Sequence, residues 1–428
     1  VHRRRPGTGR NLPTRVSPDE IIAGLPHGAR LLAQGGAGES RVLAEALGRL
    51  KRDDLHVTGV WLPGVNRATY GAEHGARVTT FFMTPELKRT GGNVEFLPLP
   101  YSEIGPYLRA QHFDACFAML ALPDAAGVCS FGPAVDFLAE LWPAIPMRIA
   151  QLNPATPRTH GPGIPREALA HVVEHETPLP SAPPERADDT AQAIAAHVAA
   201  FIPDGATLQA GIGKLPGACL RAASARRGLR IHSGLIGDWV LDLLDAGALA
   251  DAPIVAGMAL GSERLYREAA SSRFSFRPAS YTHSPLAMSA LERFVTLNGA
   301  LEVDLLGQVY SEAGPGGLTS GPGGALDFAR GAKLAGGLRI IALPASAAKG
   351  TLSRIVAPGA GKGPVSLTRL DVDVIVTEVG AADLRGLSHD ARAERLVAIA
   401  DPAHQPALAE AWRTYRSRVL LDDGAAGA

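Results

Sequence analysis

The chain has 428 residues, 46% hydrophobic and 20% charged, so a sizeable core can be buried and global disorder is excluded. Its 42 Lys and Arg balance 42 Asp and Glu, which argues against a surface built to neutralise nucleic-acid phosphates. Three scattered cysteines are too few for a disulfide framework or a zinc site, and no run approaches the ~18 apolar residues of a membrane span. A cytoplasmic protein with no membrane or nucleic-acid partner is expected, its four arginines in residues 1–10 forming a loose terminal arm.

At roughly 100–200 residues per domain the length predicts two comparable halves. Strands are expected at 55–62, 76–83, 94–100, 113–120 and 145–152, with a helix over 40–50. Residues 175–189, with four prolines and many charges, read as a linker between domains 1–174 and 190–428. A helix then follows over 189–202, capped by Asp189 or Thr190. Further strands are expected at 206–212, 229–234, 253–260, 294–309, 338–345 and 371–379. Strands alternating with helices predict an α/β fold with largely parallel sheets.

Several familiar chemistries have no support. In GAGKGP (359–364), Val356 stands where a phosphate-binding loop needs its leading glycine, and Gly363 where Ser or Thr should follow. There is no GxSxG elbow, and the 13 histidines form no ligand pair, so no metal is expected. What remains is a set of glycine-rich turns at strand ends, where open α/β sheets bind ligands. Gly211-Ile212-Gly213 follows one strand, with Pro216 opening the next helix; its backbone N–H groups can meet an anion or oxyanion. Ser233-Gly234 ends another strand, and Asp238 is placed to cap the helix after it. Asn298 can aim its amide at a substrate oxygen or simply form a turn. Gly323-Gly324 can bring the main chain close to a ligand or form an ordinary loop.

The order of these segments resembles the acetyl-CoA hydrolase/transferase family, the class I coenzyme A transferases. The likeness runs from about residue 30 to 405 through GGAGES (35–40), NPATPRTHG (153–161), DGATLQAGIG (204–213), LRIHSGLIGDWVLDLLDAG (229–247), GSERLY (261–266), SYTHSP (280–285), NGALEVDLLGQV (298–309), GGALDFARGA (323–332) and TEVGAADLRG (377–386). It implies two topologically similar α/β domains with a site in the cleft between them, and a homodimer. Its substrates would be an acyl-CoA thioester and a small carboxylate, with no permanently bound cofactor. It also implies a glutamate that attacks the thioester and then carries the CoA, with amides near Ile212 and Gly324 holding the oxyanion and Asn298 positioning the carboxylate.

The chain departs from that pattern, reading His232-Ser233-Gly234 where the family has a glutamate third, and Ala325 where a glutamine is common. Three readings follow. Another carboxylate can replace the missing one, with Glu39 preferred over Asp238 and Glu302, although Glu39 can equally cap the following helix. Alternatively, Gly234 leaves room for water and the site hydrolyses acyl-CoA or catalyses another CoA-thioester reaction, with Glu39 or His232 as general base. The third reading is a CoA-thioester-binding protein without turnover.

Overall fold

Runs that are apolar at every position, such as Ala115–Leu120, suit parallel sheets covered on both faces. The computed structural model describes residues 16–181, 187–211, 213–314 and 316–420. The arginine-rich start, Ile212 and residues 182–186 of the expected linker lie outside them.

The first sheet contains β1 (Arg30–Ala33), β2 (His56–Gly59), β3 (Arg77–Thr80), β4 (Val94–Phe96), β5 (Ala115–Leu120), β6 (Met147–Leu152) and β7 (His171–Glu174). Their order is β4-β3-β2-β1-β5-β6-β7, parallel throughout. The second contains β8 (Thr207–Ala210), β9 (Arg230–Ile236), β10 (Ile254–Ala259), β11 (Phe274–Phe276), β12 (Phe294–Gly299), β13 (Leu338–Ala342), β14 (Val374–Val376) and β15 (Ala381–Asp383). Its order, β11-β10-β9-β8-β12-β13-β14-β15, repeats the first pattern and adds one antiparallel edge strand. Both sheets therefore reverse direction of winding beside their first strand, which is where such sheets open a crevice for ligands.

Three local expectations are corrected. The run 294–309 is not one strand: β12 stops at Gly299, and Glu302–Asp304 pairs antiparallel with Val309–Tyr310. The turn between them forms because the Asp304 carboxylate accepts the N–H groups of Leu306 and Gln308, both at 3.0 Å. The helix Asp189–Ala199 is capped one residue earlier than expected, by Asp188, whose side chain accepts the N–H of Ala191. Strand β9 does not end at Gly234 but continues to Ile236.

A first-lobe loop pairs its main chain with β10 of the second sheet. Pro133 O accepts the N–H of Ala259 at 2.8 Å, and Val135 N–H donates to Gly257 O at 2.9 Å, around an antiparallel bridge between Ala134 and Met258. A second seam links the helix Tyr101–Arg109 to the helix Ala325–Leu334. There Tyr101 N–H donates to Gly323 O at 3.2 Å and Ser102 Oγ to Asp327 Oδ1 at 2.6 Å. The largest apolar cluster crosses between the lobes, from Phe81 and Phe131 to Phe276 and Val295.

Within the second lobe, Arg339 on β13 meets Asp373 beside β14 through guanidinium bonds of 2.6 and 2.9 Å, with both side chains nearly buried. Removing one partner leaves an uncompensated charge, so Arg339→Met is expected to cost about 3–5 kcal/mol. Arg339→Met combined with Asp373→Leu should recover most of that loss in thermal or urea melts.

Candidate active site

The crevice of the second sheet opens because β9 and β8 pair only at Thr207–Arg230 and Leu208–Ile231 and then diverge. Ser233, fully buried beyond that point, shares its hydroxyl proton between Ala210 O at 3.0 Å and Leu235 O at 2.8 Å. Leu62, Phe82, Tyr101 and Asp136 of the first lobe cover the opening, leaving an interlobe cavity of about 220 Å³.

Gly211, Gly234, Asn298, Gly323 and Gly324 all line this cavity, so the structure brings together five of the residues singled out from sequence. Gly323 has φ of +60°, a conformation that favours glycine, and Gly324 caps the helix Ala325–Leu334 without a side chain. The N–H groups of that first turn lack helical partners and form a natural anion-binding end. Gly213, with φ of +110°, starts the helix Lys214–Ala222. Asn298 Nδ2 donates to Gln209 Oε1 at 3.3 Å, and Gln209 Nε2 donates back to Asn298 Oδ1 at 3.4 Å. The pair leaves each amide with a donor and an acceptor to spare.

His232 and Glu39 lie elsewhere. His232 is buried, with Nε2 bonded to Thr282 O at 2.9 Å, and burial pulls its pKa down. It braces the turn that carries His283. Glu39 lines a second cavity, of about 480 Å³, with Arg41 and Arg67. Its carboxylate accepts the Tyr70 hydroxyl at 2.8 Å, and burial raises its pKa. It does not cap the next helix, because Ser40 does so by accepting Leu43 N–H. Asp238 accepts Ser262 Oγ at 2.6 Å, and Glu302 accepts Lys362 N–H at 2.8 Å. Both serve as local braces.

Two residues not singled out from sequence dominate the site. A Cβ on Gly234 would stand 2.6 Å from His283 Cε1, and one on Gly324 2.5 Å from His283 Nε2. The imidazole of His283 thus occupies the space left by the missing side chain at 234. Tyr101 stacks on it with ring centroids 4.5 Å apart, Phe328 flanks it at 4.6 Å, and Thr282 Oγ1 lies 3.0 Å from Nδ1. Burial drives its pKa down to about 3, so the ring is neutral at pH 7. Asp136 is the second; burial raises its carboxyl pKa to about 7 despite the Phe137 backbone N–H that it accepts. An acid within the apolar run FGPAVDFLAEL is a sequence signal that could have flagged it. The His283 contact depends on residues distant in sequence and gives no local signal.

Comparison with known proteins adds four matches. The family model described as the acetyl-CoA hydrolase/transferase C-terminal domain matches residues 261–412. The 4-hydroxybutyrate coenzyme A transferase of Clostridium kluyveri is 30% identical over 410 residues, 92% of this chain and 96% of that one. The succinyl-CoA:cyclohexane-1-carboxylate CoA transferase of Geobacter metallireducens is 33% identical over 75% of this chain and 76% of its own. The crystal structure of RipA from Yersinia pestis superposes with a TM-score of 0.87 at 27% identity, covering 94% of this chain and 97% of that one.

Because the imidazole is held on several sides, Gly234→Glu should overpack the cavity and destabilise the protein by about 1–3 kcal/mol. Combining it with His283→Ala should restore the melting temperature, and an unchanged melt for the single variant would contradict this packing. Asp136 gives a pH signature. Its pKa rises from 3.8 to about 7 on folding, so the native state keeps a proton that the unfolded chain releases between those values. Its contribution to stability therefore falls as pH rises through that window. Asp136→Asn cannot ionise, so melting temperatures should show it gaining on wild type as the pH rises from 4 to about 7.

Proposed function

The chain belongs to the acetyl-CoA hydrolase/transferase family, and from that premise we propose that it moves coenzyme A from an acyl-CoA to a small carboxylic acid in the interlobe cavity. It is a CoA-thioester enzyme. The observation that carries the site assignment is the meeting of four glycines and Asn298 on one small, largely apolar chamber between two sheets of the same topology.

The glycine backbones let the flat thioester approach the main chain, and the first turn of the helix Ala325–Leu334 offers N–H groups to the oxyanion formed on attack. The Gln209–Asn298 amide pair orients the incoming carboxylate. Covering residues from the first lobe limit water, which protects an anhydride intermediate from hydrolysis. The acyl-CoA and the acid are its partners, with no permanently bound cofactor in this reading. Among the described residues no helix is long and apolar enough to cross a membrane. A cytoplasmic location is supported by three free, buried cysteines. The homodimeric state rests on the family resemblance.

One observation favours a second reading, acyl-CoA hydrolysis: position 234 has no carboxylate to conserve the thioester's reactivity, and an imidazole stands in its place. Incubating acyl-CoA with acetate and a longer acid separates the two. Transfer should give the new acyl-CoA by mass spectrometry only when acid is present. Free CoA released at the same rate without acid would support hydrolysis instead. Asn298→Ala should raise KM for the acid by about 10-fold, the loss of one hydrogen bond worth roughly 1.4 kcal/mol.

A further inference from the structure

We propose that Asp136 supplies the catalytic carboxylate that position 234 lacks, an assignment resting on the transfer reading above. Asp136 is the one acidic side chain lining the interlobe cavity among the described residues. Its place follows from the seam between the lobes. Val135 N–H is bonded to Gly257 O, and a Cβ on Gly257 would stand 2.8 Å from Gly234 O. The lobe-to-lobe pairing therefore brings Asp136 beside the strand pair that carries Gly234.

The surroundings suit a reactive carboxyl. Asp136 is 6% exposed, and the adjacent Phe137 N–H is the group that works against burial to lower its carboxyl pKa. Arg and Lys are missing from the described lining of the cavity, so no cation holds the carboxylate in an inert ion pair. Of its titratable neighbours, burial keeps Tyr101 neutral by pushing its phenol up, and His283 across the cavity is neutral by the opposite shift. A carboxyl titrating at about 7 is half ionised at neutral pH.

CoA exchange between two carboxylic acids needs a nucleophile whose acyl product stays activated, and a carboxylate meets that need by forming an anhydride. The Asp136 carboxylate attacks the thioester carbonyl, and the C–S bond breaks with its electron pair leaving on CoA. The thiolate then attacks the Asp136 carbonyl carbon, expelling the donor acid as a carboxylate and leaving CoA in thioester linkage to Asp136. The acceptor carboxylate reverses both steps. Electrons and atoms balance without an oxidant, reductant or net proton.

Wild-type enzyme incubated with acyl-CoA alone and then reduced with borohydride should carry its mass change on the peptide containing Asp136. Asp136→Asn should carry none and should lose transfer by more than 100-fold, while CoA still binds by calorimetry. The wild-type rate should rise with pH through about 7 as the carboxyl ionises. A label on another peptide, or Asp136→Asn transferring at the wild-type rate, would overturn the assignment and leave CoA transfer standing. If wild type forms no new acyl-CoA from any acid, the transfer reading falls and takes the assignment with it.

Discussion

The site depends on a short piece of main-chain pairing between the lobes. Pro133 and Val135 of the first lobe bond to Ala259 and Gly257 of β10, which continues the second sheet's hydrogen bonding into the first lobe. Without that contact the crevice at the carboxyl ends of β8, β9 and β12 would be an open groove. With it, Asp136, Tyr101 and Phe82 become the crevice's roof, and water is thinned around whatever binds there. The raised carboxyl of Asp136 and the neutral ring of His283 both follow, because each shift arises mainly from desolvation.

Packing within the chamber ties three positions together. The His283 ring can lie where it does because Gly234 and Gly324 both lack a Cβ, and Tyr101 and Phe328 then hold it. Gly234 is thus a requirement of the neighbouring imidazole. The space is filled, and the ring's edge faces both glycine turns. A neutral imidazole there is a polar wall that can accept or donate one hydrogen bond without adding charge.

Much of the frame was legible in the residues. The β-branched runs gave most strands of both sheets in order, without the short β7, β11 and β15, and the glycine-rich segments marked four positions that meet on the cavity. Those signals are local: apolar patterning, positive-φ turns and helix starts are written in neighbouring residues. The chemistry was less legible. Glu39 drew attention as an acid in a glycine-rich loop, yet Tyr70 and the second cavity hold it apart from the other candidates. Asp136 became visible only through the pairing of Ala134 with Met258, which is fixed by how a loop of the first lobe meets the end of β10. The extension of β9 through Gly234 likewise follows from its register against β10, with Leu235 opposite Met258.

The charge of the chamber bears on what it can accept. No Lys or Arg appears in its described lining, so in the proposed reaction a carboxylate substrate would be held by dipoles: the Gln209–Asn298 amides and the helix start at Gly324. Dipoles of this kind stabilise one negative charge that is partly desolvated, and they do so best when it spreads over an oxyanion held in place. A second carboxylate on the same acid would find no counter-charge and would face Asp136. Burial keeps Asp136 weakly acidic, and the described lining holds no cation to offset it, whereas an adjacent arginine would favour its ionised form. In the proposed reaction, acceptance of a singly charged acid and reactivity of the buried carboxyl would both follow from one feature, a largely apolar chamber whose described lining offers amides and backbone but no fixed positive charge.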